Sequence, residues 1–146
     1  MKLIYNKIIE LLGEIPEIQW TDLDKGQLEF YKTRPAVQFP CALVKIELPR
    51  CDDEGNKIQQ CTALITIRLG FDFTGETTSI TPEPNRTSAL AYFDIVEKVY
   101  QKLQGFSNDQ LSTFSRKRCF EENRNDGLKV INIPFETEFE DYTAAD

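Results

Sequence analysis

Carboxylate clusters, and one cysteine beside a basic run, are the residues whose types and spacing could do chemistry. The stretch Cys51-Asp52-Asp53-Glu54-Gly55-Asn56 gathers acids and a glycine as a cation loop would. It lacks the spacing and the terminal glutamate of a calcium-binding loop, so a solvated hairpin tip is the favoured reading. Glu121, Glu122 and Asp126, or Glu136, Glu138 and Glu140, could act as acid–base pairs on a glycosidic or phosphodiester bond. Such pairs work only where burial or a partner splits their pKa values. A polar turn and the outer face of a strand, with bases nearby, point to solvated charge instead. Cys119 follows Arg116-Lys117-Arg118, a setting that lowers a thiol pKa, but no histidine exists to serve it or any serine. Gly70-Phe71-Asp72-Phe73-Thr74-Gly75 lacks the lysine of a phosphate-binding loop. No catalytic residue, metal or cofactor is expected, and the chain is read as a non-enzyme.

Composition narrows the partners. The 146 residues suffice for one domain, 1–146, with a real core, and 40% hydrophobic with 28% charged residues is a globular balance. A net charge of -7 disfavours a nucleic-acid backbone as the main partner. No apolar run approaches the ~20 residues that span a bilayer, so no membrane partner is expected. The N-terminus carries too few bases for a secretory signal and is read as mature structure. Cysteines 41, 51, 61 and 119 form no C-x-x-C pair; reduced thiols in a cytosolic setting are expected.

The elements that position these residues follow from periodicity. From Cys61 the odd positions run Cys61, Ala63, Ile65, Ile67, Leu69, Phe71 and Phe73. The even positions are polar or small except Leu64, so 58–73 is predicted to be a strand with one buried face. Its partner is 41–48, with residues 49–57 as the connecting turn. Sixteen extended residues reach ~50 Å, whereas a domain of this size is ~38 Å across. The strand must therefore bend, or its hairpin must project. Helices are predicted over 2–13 and about 86–104, the second capped by Asn85 or Thr87 and burying Phe93 and Val96 against Ile65, Ile67 and Leu69. Residues 18–22 are a short strand candidate, and 27–31 a strand or a helical turn. A polar loop spans 74–87. A second hairpin, roughly 112–122 and 128–140, turns at Gly127; its last strand, with Pro134 and a row of Glu, suits a sheet edge. Residues 143–146 are expected to fray. The fold class is α+β: a mostly antiparallel sheet with a long β-hairpin and two main helices on one face.

This order of elements resembles the bacteriophage tail-terminator family, of the lambda minor tail protein U type. The resemblance lies in the first helix, the strand at 18–22, Arg34-Pro35-Ala36-Val37 and Phe39-Pro40 leading into CALVKIEL, and the acidic hairpin tip. It continues through the long amphipathic strand, one helix, and Asn125-Asp126-Gly127-Leu128 before the acidic, aromatic last strand. The 74–87 loop and the cysteines depart from it. It implies a phage or prophage virion-assembly protein, made in the cytoplasm of a bacterial host and carried in the virion tail. Such a protein forms a ring, a hexamer in that family, that caps the tail tube and joins it to the head. The implied partners are other copies of itself, the tail-tube protein and a head–tail connector protein. A head-completion or neck protein of the same architecture is the close alternative, and a small metal-dependent hydrolase the distant one. The expected contact residues are Arg50, Asp52, Asp53, Glu54 and Lys57 at the hairpin tip, with Glu136, Glu138 and Glu140 on the closing strand.

Overall fold

A computed structural model describes residues 1–29, 35–73 and 75–145. Phe30, Tyr31, Arg34, Thr74 and Asp146, on which parts of the expectations above fall, lie outside them. The elements are α1 (Lys2–Leu12), β1 (Trp20–Leu23), β2 (Cys41–Gly55), β3 (Ile58–Asp72), α2 (Glu83–Ala89), α3 (Tyr92–Leu103), β4 (Ser115–Arg116), β5 (Phe120–Glu121) and β6 (Leu128–Asp141). One six-stranded sheet runs β1-β2-β3-β6-β4, with β5 also on β6. Every pairing is antiparallel except β1 with β2. This is an α+β fold.

The alternation of β3 sorts the sheet into two unlike faces. Val44, Ile67 and Ile133 form one cross-strand row, and Ile46, Ile65 and Phe135 the next. These residues, with Ala63 and Leu69, pack against Ile4, Ile8 and Leu12 of α1 and Val96, Val99 and Leu103 of α3. The opposite face carries a smaller cluster, Leu28, Cys41, Leu43 and Val130, at one end only. Lengths explain why cover runs out. Helices of 11 and 12 residues span about 17–18 Å, while strands of 15 residues reach ~50 Å. On the helical face burial continues to Cys61 and then stops. The strands run on to a two-residue turn, Asn56-Lys57, both at positive φ (54° and 63°), after Gly55 at φ 87°. That is the primed turn that suits the twist of a tight hairpin.

Several expectations are corrected. Residues 49–55 are strand rather than turn: β2 continues past Pro49 by a register shift between Glu47 and Arg50. The second helix begins at Glu83, not after Asn85 or Thr87, and is two helices. At Leu90-Ala91 the chain tightens into three-residue bonds, Ala91 N–H to Ser88 O (3.2 Å) and Phe93 N–H to Leu90 O (3.0 Å). That shift leaves Phe93 45% exposed, outside the cluster that holds Val96. The strand expected over 112–122 is only the pairs β4 and β5, so β6 lies inside the sheet beside β3 rather than as a free edge. Its proline is tolerated there because the Pro134 carbonyl accepts Lys117 N–H (2.8 Å) on the outer side. The missing donor thus faces the break between β4 and β5, not β3. Gly127 is left-handed (φ 80°), as expected of the residue closing that loop. Beyond Asp141 the chain makes a bonded turn, Ala145 N–H to Tyr142 O at 2.9 Å.

Ile67 is fully buried at the centre of the middle strand. Ile67→Ala is expected to cost ~2–5 kcal/mol in urea unfolding. A loss under about 1 kcal/mol would mean that the site collapses freely and is not the packing centre.

Candidate functional site

The register brings the two groups of expected contact residues together. Arg50, Thr62 and Glu138 form one row across β2, β3 and β6; Asp52, Gln60 and Glu140 form another. Alternation places these rows, with Glu47, Leu64 and Glu136, on the face away from the helices. The even position that broke the pattern, Leu64, is only half-buried on this side. Asp53, with Gln59 and Asp141, falls on the helical face, and Glu54 and Lys57 sit exposed at the tip. Arg50 Nε donates to Asp52 Oδ2 (2.8 Å), and Gln59 Nε2 to Asp53 Oδ1 (2.9 Å). Lys117 Nζ stands 3.9 Å from Glu136 Oε2, and the Tyr142 hydroxyl donates to the Glu140 carboxylate. Glu138 extends into solvent, its backbone held by Ser112 Oγ (2.7 Å). The result is a strand-rigid acidic face, in which Lys45, Arg50 and the neighbouring Lys117 are outnumbered by Glu47, Asp52, Glu136, Glu138 and Glu140. Lys45 and Glu47, on the polar side of β2, belong to this face although the sequence did not single them out as contacts.

Where this face meets the body, an ion network closes it. Arg68 grips Glu122 with two bonds, Nε–Oε2 2.7 Å and Nη2–Oε1 2.8 Å, and its Nη1 reaches Glu29 Oε1 at 2.5 Å and Asp24 Oδ2 at 3.7 Å. Arg124 bonds Glu122 Oε1 (2.8 Å) and Asp126 Oδ2 (2.7 Å) and donates to the Leu28 carbonyl. Asn132 Nδ2 completes the Glu122 shell at 2.8 Å. Burial pulls the Glu122 pKa up, but donation from Arg68, Asn132 and Arg124 overcomes it and holds the carboxyl down at about 2. Arg124 donation, the largest influence on Asp126, likewise depresses its pKa. Glu122 and Asp126 are therefore not solvated, as expected, but clamped. A carboxylate this acidic and this fully bonded is a poor proton shuttle at neutral pH. Arg68 lies 54 residues from Glu122, so no local motif announced that pair, whereas Arg124 stands two residues from each of its carboxylates.

The remaining candidates are dispersed by the same strand geometry. Asp52 and Asp53 alternate across the sheet instead of converging, and among the described residues no three His, Cys, Asp or Glu side chains gather to hold a metal ion. Cys119 is exposed, and the adjacent Arg118 lies over the Phe120 ring at 4.3 Å. A groove of about 870 Å³ opens between Phe39, Phe71, Phe73, Tyr92 and the chain after Gly75, with Asp72 and Glu76 in its wall. Its walls are ring against ring: Tyr92 lies 5.4 Å from Phe71 and 5.5 Å from Phe73. Among the described residues no helix is long and apolar enough to cross a membrane.

No protein-family model matches the chain, and no curated protein does. Among solved structures it is similar to a chain in the virion of a native gene transfer agent particle, at 13% identity and a TM-score of 0.43, covering 92% of this chain and 84% of that one. At that TM-score the likeness decides neither fold nor role.

The clamp sets an acid limb of stability. Glu122 has a depressed folded pKa, so the unfolded chain binds more protons between about pH 4.5 and 2, and stability falls as pH drops through that window. Its shift corresponds to about 3 kcal/mol at neutral pH. Glu122→Gln is expected to show a deficit of about that size in urea at pH 7, closing as both proteins approach pH 2. A pH-independent deficit would assign the loss to packing instead.

Proposed function

We propose that this chain is a non-catalytic virion-assembly subunit of the phage tail type, acting through a self-associated ring that caps a tail tube and meets a head–tail connector. One observation carries the reading: a three-stranded arm, rigid by its ladder, outruns its helical cover and presents a bare acidic face. Ring subunits need a surface that engages an unlike surface on the next copy, and such an arm offers one. The chain carries that complement in Arg116, Lys117 and Arg118, all exposed beside β6. The order of elements along the sequence, which resembles tail terminators, supports the same reading and supplies the ring and its partners.

Contacts between exposed charges steer and orient more than they bind, and they weaken with salt. Two reversals on the acidic face, Asp52→Lys and Glu140→Lys, are expected to weaken self-association about tenfold or more. Adding Lys117→Glu and Arg118→Glu should restore much of it. Sedimentation over a concentration and salt series, with negative-stain imaging for rings, reads both effects. Unchanged assembly in the double variant, with circular dichroism intact, would assign the arm's acidic face to solvent.

A further inference from the structure

We propose that Cys51 and Cys61 are a cross-strand dithiol that closes to a disulfide and staples the arm. The pairing depends on the bulge in β2. Up to Glu47 the register matches Glu47 to Leu64; after it, Arg50 matches Thr62 and Cys51 matches Cys61. Without that one-residue shift Cys51 would stand opposite Gln60 and point to the other face. With it, the two cysteines are direct neighbours on one face. Directly opposed antiparallel residues have Cα atoms ~4.5–5.5 Å apart, inside the ~4.4–6.8 Å that a disulfide spans. Both thiols are free, and the register sets them directly opposite each other.

The two sulfurs have different roles. Cys51 is exposed and meets the oxidant first, whereas Cys61 is 1% exposed. Burial, then the contact with Cys51, pushes the Cys61 thiol up to about 11, so it enters as a thiol and serves as the resolving group. The oxidant is a low-molecular-weight disulfide such as oxidised glutathione. The Cys51 thiolate attacks one of its sulfurs, forming a mixed disulfide and releasing one glutathione thiolate. Cys61 gives its proton to solvent and attacks Cys51 Sγ, forming the Cys51–Cys61 bond and releasing the second thiolate. Two protein thiols are oxidised and one small disulfide is reduced to two thiols. The bond ties the stretch of β2 after the bulge to the middle strand, where no helix lies over the polar face. Its formation depends on strand register alone, not on what the arm binds.

Cys119, exposed on the other side of β6, and Cys41, fully buried, serve as internal comparators. The native chain is treated with oxidised glutathione, alkylated, and mapped by intact mass and peptide mass spectrometry. The expected product is a monomer in which Cys51 and Cys61 are linked and have lost two hydrogens and both alkylation sites. Cys119 should carry glutathione, and Cys41 should alkylate only after unfolding. In Cys61→Ser, Cys51 should stop at the glutathione adduct. Cys51→Ser, at an exposed position, provides a second variant, in which Cys61 should stay unmodified. Amide exchange over 47–64 should slow in the oxidised native chain and not in either variant. Persistence of the Cys51 glutathione adduct in the native chain, or covalent dimers through Cys51, would overturn the assignment.

Discussion

The structure depends on the ladder that β3 makes with β2 on one side and β6 on the other. Each strand is about three times as long as either main helix, so the helical layer can cover only part of it. Within the covered part, Ile65, Ile67 and Leu69 fix the register, because a slip by one residue would turn the apolar side outward. Beyond it, the same register continues with nothing to bury. The arm is therefore held by its backbone ladder, with a one-residue register shift in β2 between Glu47 and Arg50, and the core decides which residues share its rows.

The outer face shows what happens as cover is withdrawn by degrees. At one end Leu28 and the residues around Cys41 shield it with an apolar patch. Next come Arg68, buried, and Glu122, half-buried, where each charge is matched by several partners. Breaking such a pair strands a charge away from water, which costs far more than an exposed pair gains. Past that point Arg50, Asp52, Glu138 and Glu140 stand in solvent, where pairing is weak and screened by salt. Clamped charge near the body and exposed charge on the arm thus differ in energetic weight, though both look alike in the sequence.

That difference marks the limit of what the residues announce. β3, α1 and the core face of β6 were legible because burial writes a period into the chain. The outer half of β2 was not: Pro49-Arg50-Cys51-Asp52-Asp53-Glu54-Gly55 has no buried side to pattern, and its composition is that of a turn. The conflict between strand length and domain diameter was legible; it left a bend or a projecting hairpin open and said nothing of β6 as a third strand. The helix break at Leu90-Ala91 left no glycine or proline to mark it. The Arg68–Glu122 clamp was invisible because it joins positions 54 residues apart, and only the fold makes them neighbours. The cysteine pair was hidden by the bulge, which changes which residues face each other without changing the sequence spacing.

The central claim is that the acidic outer face of the arm is an assembly contact. Zero-length carbodiimide cross-linking of the assembled form, on a mixture of heavy- and light-isotope chains, tests it most directly. The result that the account requires is mixed-isotope cross-links joining Asp52, Glu138 or Glu140 of one copy to a lysine of another, with Lys117 foremost. Mixed cross-links that avoid the arm altogether, or a chain that stays monomeric at every concentration with and without tail tubes, would contradict it.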